Sequence, residues 1–273
     1  MKWLIVNADD FGLSAKRNAG IMQAHRQGIV SSASILVYAP GFREAVKMAK
    51  LMPELDVGLH LNLSDGEPVV MGHKTLLGDD GRFPGKEEAR RRAKERLFDP
   101  DEVEAETEAQ IDVLQQAGLK VTHLDGHQHI HVYGTLAEPV SKAALRRGIR
   151  CFRAPADKLV PAGFDDAARL AQVEEYRQAA YRSVPVYARA RMRSTEHFGG
   201  VALSGILNAE RLLQTLRELP DGLTELMVHP GHAEGETGFS GPDRLREVEA
   251  LTDPRVRQAL KDFGIQLTHF GKL

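Results

Sequence analysis

The stretch Trp3-Leu4-Ile5-Val6-Asn7-Ala8-Asp9-Asp10-Phe11-Gly12 begins as a short apolar run and passes directly into two carboxylates. An apolar run of this length, bounded by polar and turn residues, is typical of a buried β-strand. Ser14 follows as a candidate N-cap for a helix that ends near Gly28, a typical C-cap residue. Together these signals predict a strand, a polar loop and a helix, in that order.

The same order recurs along the chain. Apolar runs of strand length occur at Trp3–Asn7, Ser34–Val37, Val57–Asn62, Val121–His127, Ile149–Arg153, Phe198–Leu203, Leu223–His229 and Ile265–Phe270. Helical patterns separate them at Gly41–Lys50, Pro100–Ala117, Gly134–Arg147 and Asn208–Leu219. Strands that alternate with helices indicate parallel βαβ units. Eight such strands in 273 residues predict an α/β fold, a (β/α) barrel in a single domain over residues 1–273, with an open doubly wound sheet as the alternative.

Two segments depart from this alternation. Residues 64–86 are rich in Gly, Pro and Asp, and we expect a loop excursion after the third strand. Residues 156–196 form an insertion-like helical segment, in which Tyr176–Arg193 is basic. We expect a surface helix there, in preference to a flap over the site or a contact surface. The charged run Glu87–Arg96 is expected to be the solvated face of another helix.

Composition and charge exclude several classes of protein. The 36 basic and 38 acidic side chains give a net charge of −2, which argues against nucleic acid as the partner. The single cysteine, Cys151, excludes an internal disulfide framework and a cysteine-cluster zinc site, and is expected to be a core thiol. No apolar segment approaches the about 20 residues of a membrane span. With no signal-peptide pattern at its start, the chain is expected to be a soluble cytoplasmic protein without stable membrane insertion.

Ionisable side chains collect where the predicted strands end. In a barrel of this kind the chemistry lies at the carboxyl ends of the strands, which share one mouth. Each of these groups taken alone also has an ordinary structural explanation, such as a turn, a core hydrogen bond or a salt bridge. Five strand ends carry them, at Asp9 and Asp10, His60, Asp125 to His131, Arg153, and His229 with His232.

The alternation of His127, His129 and His131 is the strongest single signal. In an extended chain these positions point to one side, and three protonated imidazoles there would repel one another. A metal or a carboxylate partner is therefore expected. One carboxylate and two imidazoles leave an open position for water, the pattern of a catalytic metal centre, and they suit zinc, cobalt or nickel.

The adjacent Asp9 and Asp10 can divide two roles between them. One would point at the metal, and the other would take the proton of the attacking water, oriented by Arg153. A histidine across the pocket would protonate the leaving group, with His229 as the first candidate and His232 as the alternative.

The order of these motifs resembles the YdjC-like carbohydrate deacetylases, a family that includes chitooligosaccharide deacetylases and hopanoid-biosynthesis deacetylases. The resemblance covers Lys2 to Phe270 and is carried by Asn7–Ser14, Val57–Leu63, His123–His131, Phe152–Pro155 and Glu225–Gly231. It implies a distorted TIM-like (β/α) barrel and a metal-dependent N-deacetylase. The implied substrate is an N-acetylated amino sugar or its conjugate, a chitooligosaccharide or an N-acetylglucosaminyl lipid, with acetate as product.

Residue by residue, the resemblance implies one divalent cation, magnesium or zinc, with Asp10, His60 and His127 as its ligands. It also implies Asp9 as general base, Arg153 as the residue that holds the base, and His229 as general acid. Gln128 stands where many relatives have histidine and is not expected to be a ligand. Ser204–Glu225 is closer to the hopanoid-associated branch, and the resemblance also suggests a homodimer.

Two other classes of function compete with this interpretation. A metal-dependent sugar isomerase or phosphoesterase could use a similar barrel, but two-metal phosphoesterases generally need more ligands than one aspartate and two histidines. A non-catalytic sugar-binding module would present stacking aromatics, whereas aromatic residues are only 6% of this chain, with Trp3 as the one tryptophan. A second bound metal would favour the phosphoesterase.

Overall fold

A computed structural model describes residues 1–235 and 241–273, and all eight predicted strands lie in one parallel sheet. The strands are β1 (Lys2–Phe11), β2 (Ser32–Ile35), β3 (Asp56–Leu61), β4 (Val121–Gly126), β5 (Cys151–Phe152), β6 (His197–Gly199), β7 (Gly222–Val228) and β8 (Ile265–Leu267). Seven of them follow the order β5-β4-β3-β2-β1-β7-β6. β8 pairs with Lys2–Leu4 on the edge of β1 that β2 occupies further along.

The sheet curls towards closure as a distorted barrel. Neighbours from β1 to β5 are consecutive in the chain, without the reversal of order that marks a doubly wound sheet. At the far side, isolated parallel bridges join Cys151 to Arg193 and Asp157 to Phe198, so the region around β5 meets the region around β6. The predicted α/β barrel is confirmed in this distorted form.

Helices connect the strands. They are α1 (Ala15–Gln27), α2 (Phe42–Leu51), α3 (Lys86–Lys94), α4 (Pro100–Gln116), α5 (Ala137–Arg146), α6 (Ala167–Arg189), α7 (Ala209–Arg217), α8 (Asp243–Thr252) and α9 (Pro254–Asp262). Ser14 caps α1 as predicted, because its hydroxyl accepts a hydrogen bond from the backbone N–H of Arg17. Within the described part of the chain, no helix is both long and apolar enough to cross a bilayer.

Close packing inside the barrel depends on a small residue in β3. A Cβ added at Gly58 would lie 2.4 Å from Nε2 of His123 in β4. The His123 ring is fully buried and stacks on Phe270 at 4.1 Å, so it has no room to move aside. Burial lowers the pKa of His123 to about 4, and the ring is therefore a neutral core group at neutral pH.

The segment between β3 and α3 has no helix or strand but is fixed to the rest of the molecule. Glu106 in α4 is fully buried and accepts hydrogen bonds from the backbone N–H groups of Val69 and Val70, both at 2.9 Å. One turn earlier, Glu102 accepts bonds from the backbone N–H groups of Lys74 and Thr75. Two carboxylates of one helix thus accept hydrogen bonds from backbone N–H groups of a loop that has no helix or strand of its own.

The replacement Glu106→Ala is expected to lower the free energy of unfolding by about 2 kcal/mol, because it leaves backbone donors in the loop without acceptors. Urea unfolding gives the stability, and limited proteolysis should show faster cleavage within residues 64–85. Glu108→Ala is the matched control, since Glu108 only pairs with Arg146 and Arg147 on the surface and is worth about 1 kcal/mol at most. Equal losses in both variants would contradict a special role of Glu106.

Candidate active site

The carboxyl ends of the strands surround one cleft of about 660 Å³. Its walls combine carboxylates, imidazoles and cations with a few apolar side chains, a composition suited to a polar ligand. The lining residues are Asp9, Asp10, His60, Lys86, His127, Gln128, His129, Arg169, Gln172, Tyr176, Val201, Ser204, Gly205, Met227, His229, Asp243 and Arg244.

A local irregularity in β1 turns two adjacent carboxylates into the same cleft. Neighbouring residues of a strand normally point to opposite faces of the sheet. Here the register with β2 shifts between Ala8 and Phe11, and Asp10 takes a left-handed backbone conformation with φ 64°. Aspartate tolerates this conformation better than most residues. As a result Asp9 and Asp10 both line the cleft, each at most 2% exposed.

Asp10, His60 and His127 form a compact group of potential metal ligands. Oδ1 of Asp10 lies 3.4 Å from Nε2 of His60 and 3.1 Å from Nδ1 of His127, and these two nitrogens are 3.4 Å apart. The second oxygen of Asp10, Oδ2, is buried and has no hydrogen-bond partner among the described residues. One carboxylate and two imidazoles that converge in this way fit a divalent cation with an open position.

Each of the two imidazoles has a carboxylate near the ring nitrogen that does not face the ligand group. Oδ1 of Asp125 lies 2.7 Å from Nδ1 of His60, which leaves Nε2 facing the ligand group. Oδ2 of Asp65, from the loop after β3, lies 3.4 Å from Nε2 of His127. Such partners set the orientation of metal-binding histidines. The motifs of the sequence did not single out Asp65, because its approach to His127 depends on how the loop folds back.

The charges of this group are strongly coupled. Although burial opposes ionisation, His127 and His60 hold the pKa of Asp10 well below its usual value. Burial likewise opposes the charged imidazole, yet Asp125 and Asp10 raise the pKa of His60 to about 10. The carboxylates thus favour the protonated form of both imidazoles.

Arg153 is the centre of a second, fully buried cluster of charges. Its two terminal nitrogens donate to both oxygens of Asp9 at 2.6 Å, and Nη2 also lies 2.9 Å from Oδ2 of Asp125. Its Nε donates to Oε1 of Glu225 at 2.7 Å. One guanidinium does not fully offset the burial of three carboxylates. Burial therefore raises the pKa of Asp9 above its usual value, and it raises the pKa of Glu225 to about 7. The predicted contact of Arg153 with Asp9 is present, whereas Glu225 was not predicted as a partner.

Oxygen and nitrogen atoms of Asp9, His60 and Asp125 lie close enough to suggest a second cation site. The guanidinium of Arg153 already contacts both of these carboxylates, however, and supplies the positive charge there. The residues present thus favour one metal ion beside an arginine, and the geometry does not favour the two-metal phosphoesterase.

His229 follows β7, the strand that pairs with β1, and lines the same cleft as Asp9 and Asp10. Its Nε2 lies 4.0 Å from Oδ2 of Asp9. Its backbone is fixed on both sides, because the N–H donates to Glu247 and the carbonyl accepts a hydrogen bond of 2.7 Å from Arg17. Burial lowers the pKa of His229 well below its usual value, which favours the neutral imidazole. His232 is not among the residues that line the cleft.

The prediction that His127, His129 and His131 share one side of an extended strand is wrong. β4 ends at Gly126, and His127–Val132 form a short 3-10 segment in which Gln128 and His129 have positive φ values. The three rings consequently diverge. His127 belongs to the ligand group, His129 lines another part of the cleft, and Nε2 of His131 donates to the carbonyl of Arg153 away from it.

The expectation of a surface helix between residues 156 and 196 also needs correction. α6 forms part of the cleft wall through Arg169, Gln172 and Tyr176. Tyr176 and Tyr187 are buried, and Tyr181 alone of these three tyrosines is exposed. The aromatic residues of this segment therefore fix the helix against the barrel.

Comparison with known proteins shows similarity along almost the whole chain. The sequence profile of YdjC-like proteins matches residues 3–262. A carbohydrate deacetylase of Brevibacillus brevis is 34% identical over 275 residues, with 99% of each chain covered. A carbohydrate deacetylase of Homo sapiens is 33% identical over 287 residues, which cover 97% of this chain and 88% of the relative.

The fold is shared as well. A solved structure from Enterococcus faecalis, described as a candidate cellobiose-phosphate cleavage protein, superposes with a TM-score of 0.78 at 25% identity. The superposition covers 99% of this chain and 98% of that protein. The similarity in sequence and the similarity in fold thus both extend over almost the whole chain.

Proposed function

Because this chain belongs to the YdjC-like protein family, we propose that it is a metal-dependent hydrolase that removes the N-acetyl group from an amino sugar or its conjugate. The main support for this proposal is the position of Asp9. Arg153 holds it by two hydrogen bonds of 2.6 Å, and it lies beside the ligand group and 4.0 Å from His229. A base, a metal centre and a proton donor around one cleft are the groups that amide hydrolysis needs.

The cation would be held by Asp10, His60 and His127, the group that contains the unpartnered Oδ2 of Asp10. When bound, a divalent cation at such a site lowers the pKa of water and polarises a carbonyl oxygen. Imidazole ligands favour zinc, cobalt or nickel, whereas magnesium prefers oxygen ligands.

The protein side chains would move the protons. Asp9 takes a proton from the attacking water as its oxygen bonds to the amide carbon, and Arg153 keeps the carboxylate aimed at that water. His229, 4.0 Å away, can receive this proton and pass it to the amide nitrogen as the carbon–nitrogen bond breaks. The acetic acid that forms gives its own proton to the amine, so the products are acetate and an ammonium group, and atoms and charge balance without another reactant.

Metal content tests the ligand assignment. Wild type reloaded with a defined divalent cation is expected to hold about one ion per chain, and His60→Ala and His127→Ala are expected to lose it. Elemental mass spectrometry on protein purified without chelator or a nickel affinity column gives the stoichiometry. His123→Asn is a control, because His123 is a core imidazole outside the ligand group. Full occupancy in His60→Ala would remove His60 from the ligand set.

Acetate release tests the reaction. We expect the reloaded enzyme to release one acetate per amine formed from a chitooligosaccharide or from an N-acetylglucosaminyl lipid, and a chelator to abolish this activity. Release from O-acetylated sugars alone, or from neither N-acetylated substrate, would overturn the proposal.

A further inference from the structure

The turn after β4 holds two consecutive residues in an unfavourable backbone conformation. Gln128 has φ 54° and His129 has φ 58°, in the left-handed region that residues other than glycine rarely adopt. Each such residue costs about 1–3 kcal/mol and persists only where the surrounding structure enforces it. Strain of this kind is common at functional sites.

Three different segments hold the turn in place. Arg90 of α3 donates a hydrogen bond of 3.3 Å to the carbonyl of Gln128, and the Gln128 side chain donates one of 2.6 Å to Asp65. Tyr176 of α6 packs against the His129 ring, with the ring centroids 4.5 Å apart and the planes at 84°. Since α3, the loop after β3 and α6 converge here, the position of His129 is determined from three sides.

His129 lines the cleft but has no role in the ligand group. The side chain is 5% exposed, and its Nδ1 is buried with no hydrogen-bond partner in residues 1–235 and 241–273. Nδ1 of His131 is likewise buried without a partner among the described residues, but His131 does not line the cleft and its Nε2 already donates to the carbonyl of Arg153. A buried ring nitrogen without a partner costs free energy, and a polar group of a bound ligand would remove that cost.

We propose that His129 is a sugar-binding residue, which forms a hydrogen bond to a hydroxyl group of the bound sugar. A sugar hydroxyl can both donate and accept, so it fits the imidazole nitrogen in either tautomer. Tyr176 keeps the ring in its orientation, and the left-handed turn places it in the cleft. This inference rests on the proposed function, since it assumes that the substrate is a sugar.

Two substitutions separate this role from simple packing. His129→Phe keeps an aromatic ring against Tyr176 but has no ring nitrogen, whereas His129→Gln keeps a polar group and loses the ring. We expect His129→Phe to raise KM by about tenfold or more, with kcat little changed, because it leaves a sugar hydroxyl without a partner. His129→Gln is expected to stay within a few-fold of wild type. Metal content should be unchanged in both, which distinguishes the effect from damage to His127.

Sugar affinity is measured separately from turnover. Isothermal titration of a chitooligosaccharide into metal-loaded Asp9→Asn protein, with and without His129→Phe, should show the same loss of about tenfold or more. A normal KM in His129→Phe would overturn the inference. It would also be overturned if His129→Gln were impaired as much as His129→Phe and had a lower melting temperature than wild type, because the effect would then come from packing. Failure of wild type to release acetate overturns the proposed function instead, so the two failures are distinguishable.

Discussion

Turnover is expected to fall by about 10² or more in Asp9→Asn, while the metal content stays at the wild-type level. The amide has the size of the carboxylate, and its oxygen can still accept a hydrogen bond from Arg153. It cannot take a proton from water, however, so the base is removed with little change of shape. Asp9 is not part of the ligand group of Asp10, His60 and His127, and the cation should therefore remain.

The experiment combines acetate-release kinetics with elemental analysis of the same preparations. Glu225→Gln is the matched control, because Glu225 also contacts Arg153 but does not line the cleft. We expect this control to retain kcat within a few-fold, since its side-chain oxygen can still accept from Nε of Arg153. Full activity of Asp9→Asn would refute the assignment of the general base. An equal loss in Glu225→Gln would show that any disturbance of Arg153 is sufficient.

The sheet could be predicted from the sequence because its signals are local. Apolar runs such as Trp3–Asn7, and the capping hydroxyl of Ser14, act within a few residues of the chain. Boundaries were less accurate, as in β2, which was predicted at Ser34–Val37 and occupies Ser32–Ile35. The sequence patterns did not predict α8 and α9, two helices of 10 and 9 residues that follow one another across Asp253.

The candidate site was predictable as far as it depends on topology. The ends of parallel strands meet at one edge, so the meeting of Asp10, His60 and His127 follows from the strand assignment. The position of Asp65 depends on a loop that α4 holds through long-range hydrogen bonds, and the sequence carries no signal for it. The left-handed turn at His129 likewise requires contacts from α3 and α6, so a pattern of alternate residues was misread as extended chain.

Replacing Arg153 has the largest expected effect on stability. Arg153→Met should lower the free energy of unfolding by about 3–5 kcal/mol or more, because it leaves the buried carboxylates of Asp9, Asp125 and Glu225 without their shared cation. Urea unfolding at several pH values measures this directly. Arg153→Lys is the second variant in case the first does not fold. It keeps a charge but cannot hold both oxygens of Asp9, so we expect a folded protein with kcat lowered by about 10².

The pH dependence identifies the cause of the lost stability. Burial already raises the pKa of Glu225 to about 7, and removing the nearby cation raises it further above its unfolded value. The folded variant then binds a proton that the unfolded chain releases, so its stability is retained at low pH and lost as the pH rises. The deficit of Arg153→Met should therefore be larger at pH 8 than at pH 5. Adding Glu225→Gln should remove the part of that difference that comes from Glu225, since a buried amide has no charge to neutralise, whereas Asp9 and Asp125 still lack their cation. A deficit that is independent of pH would instead assign the loss to packing of the long arginine side chain.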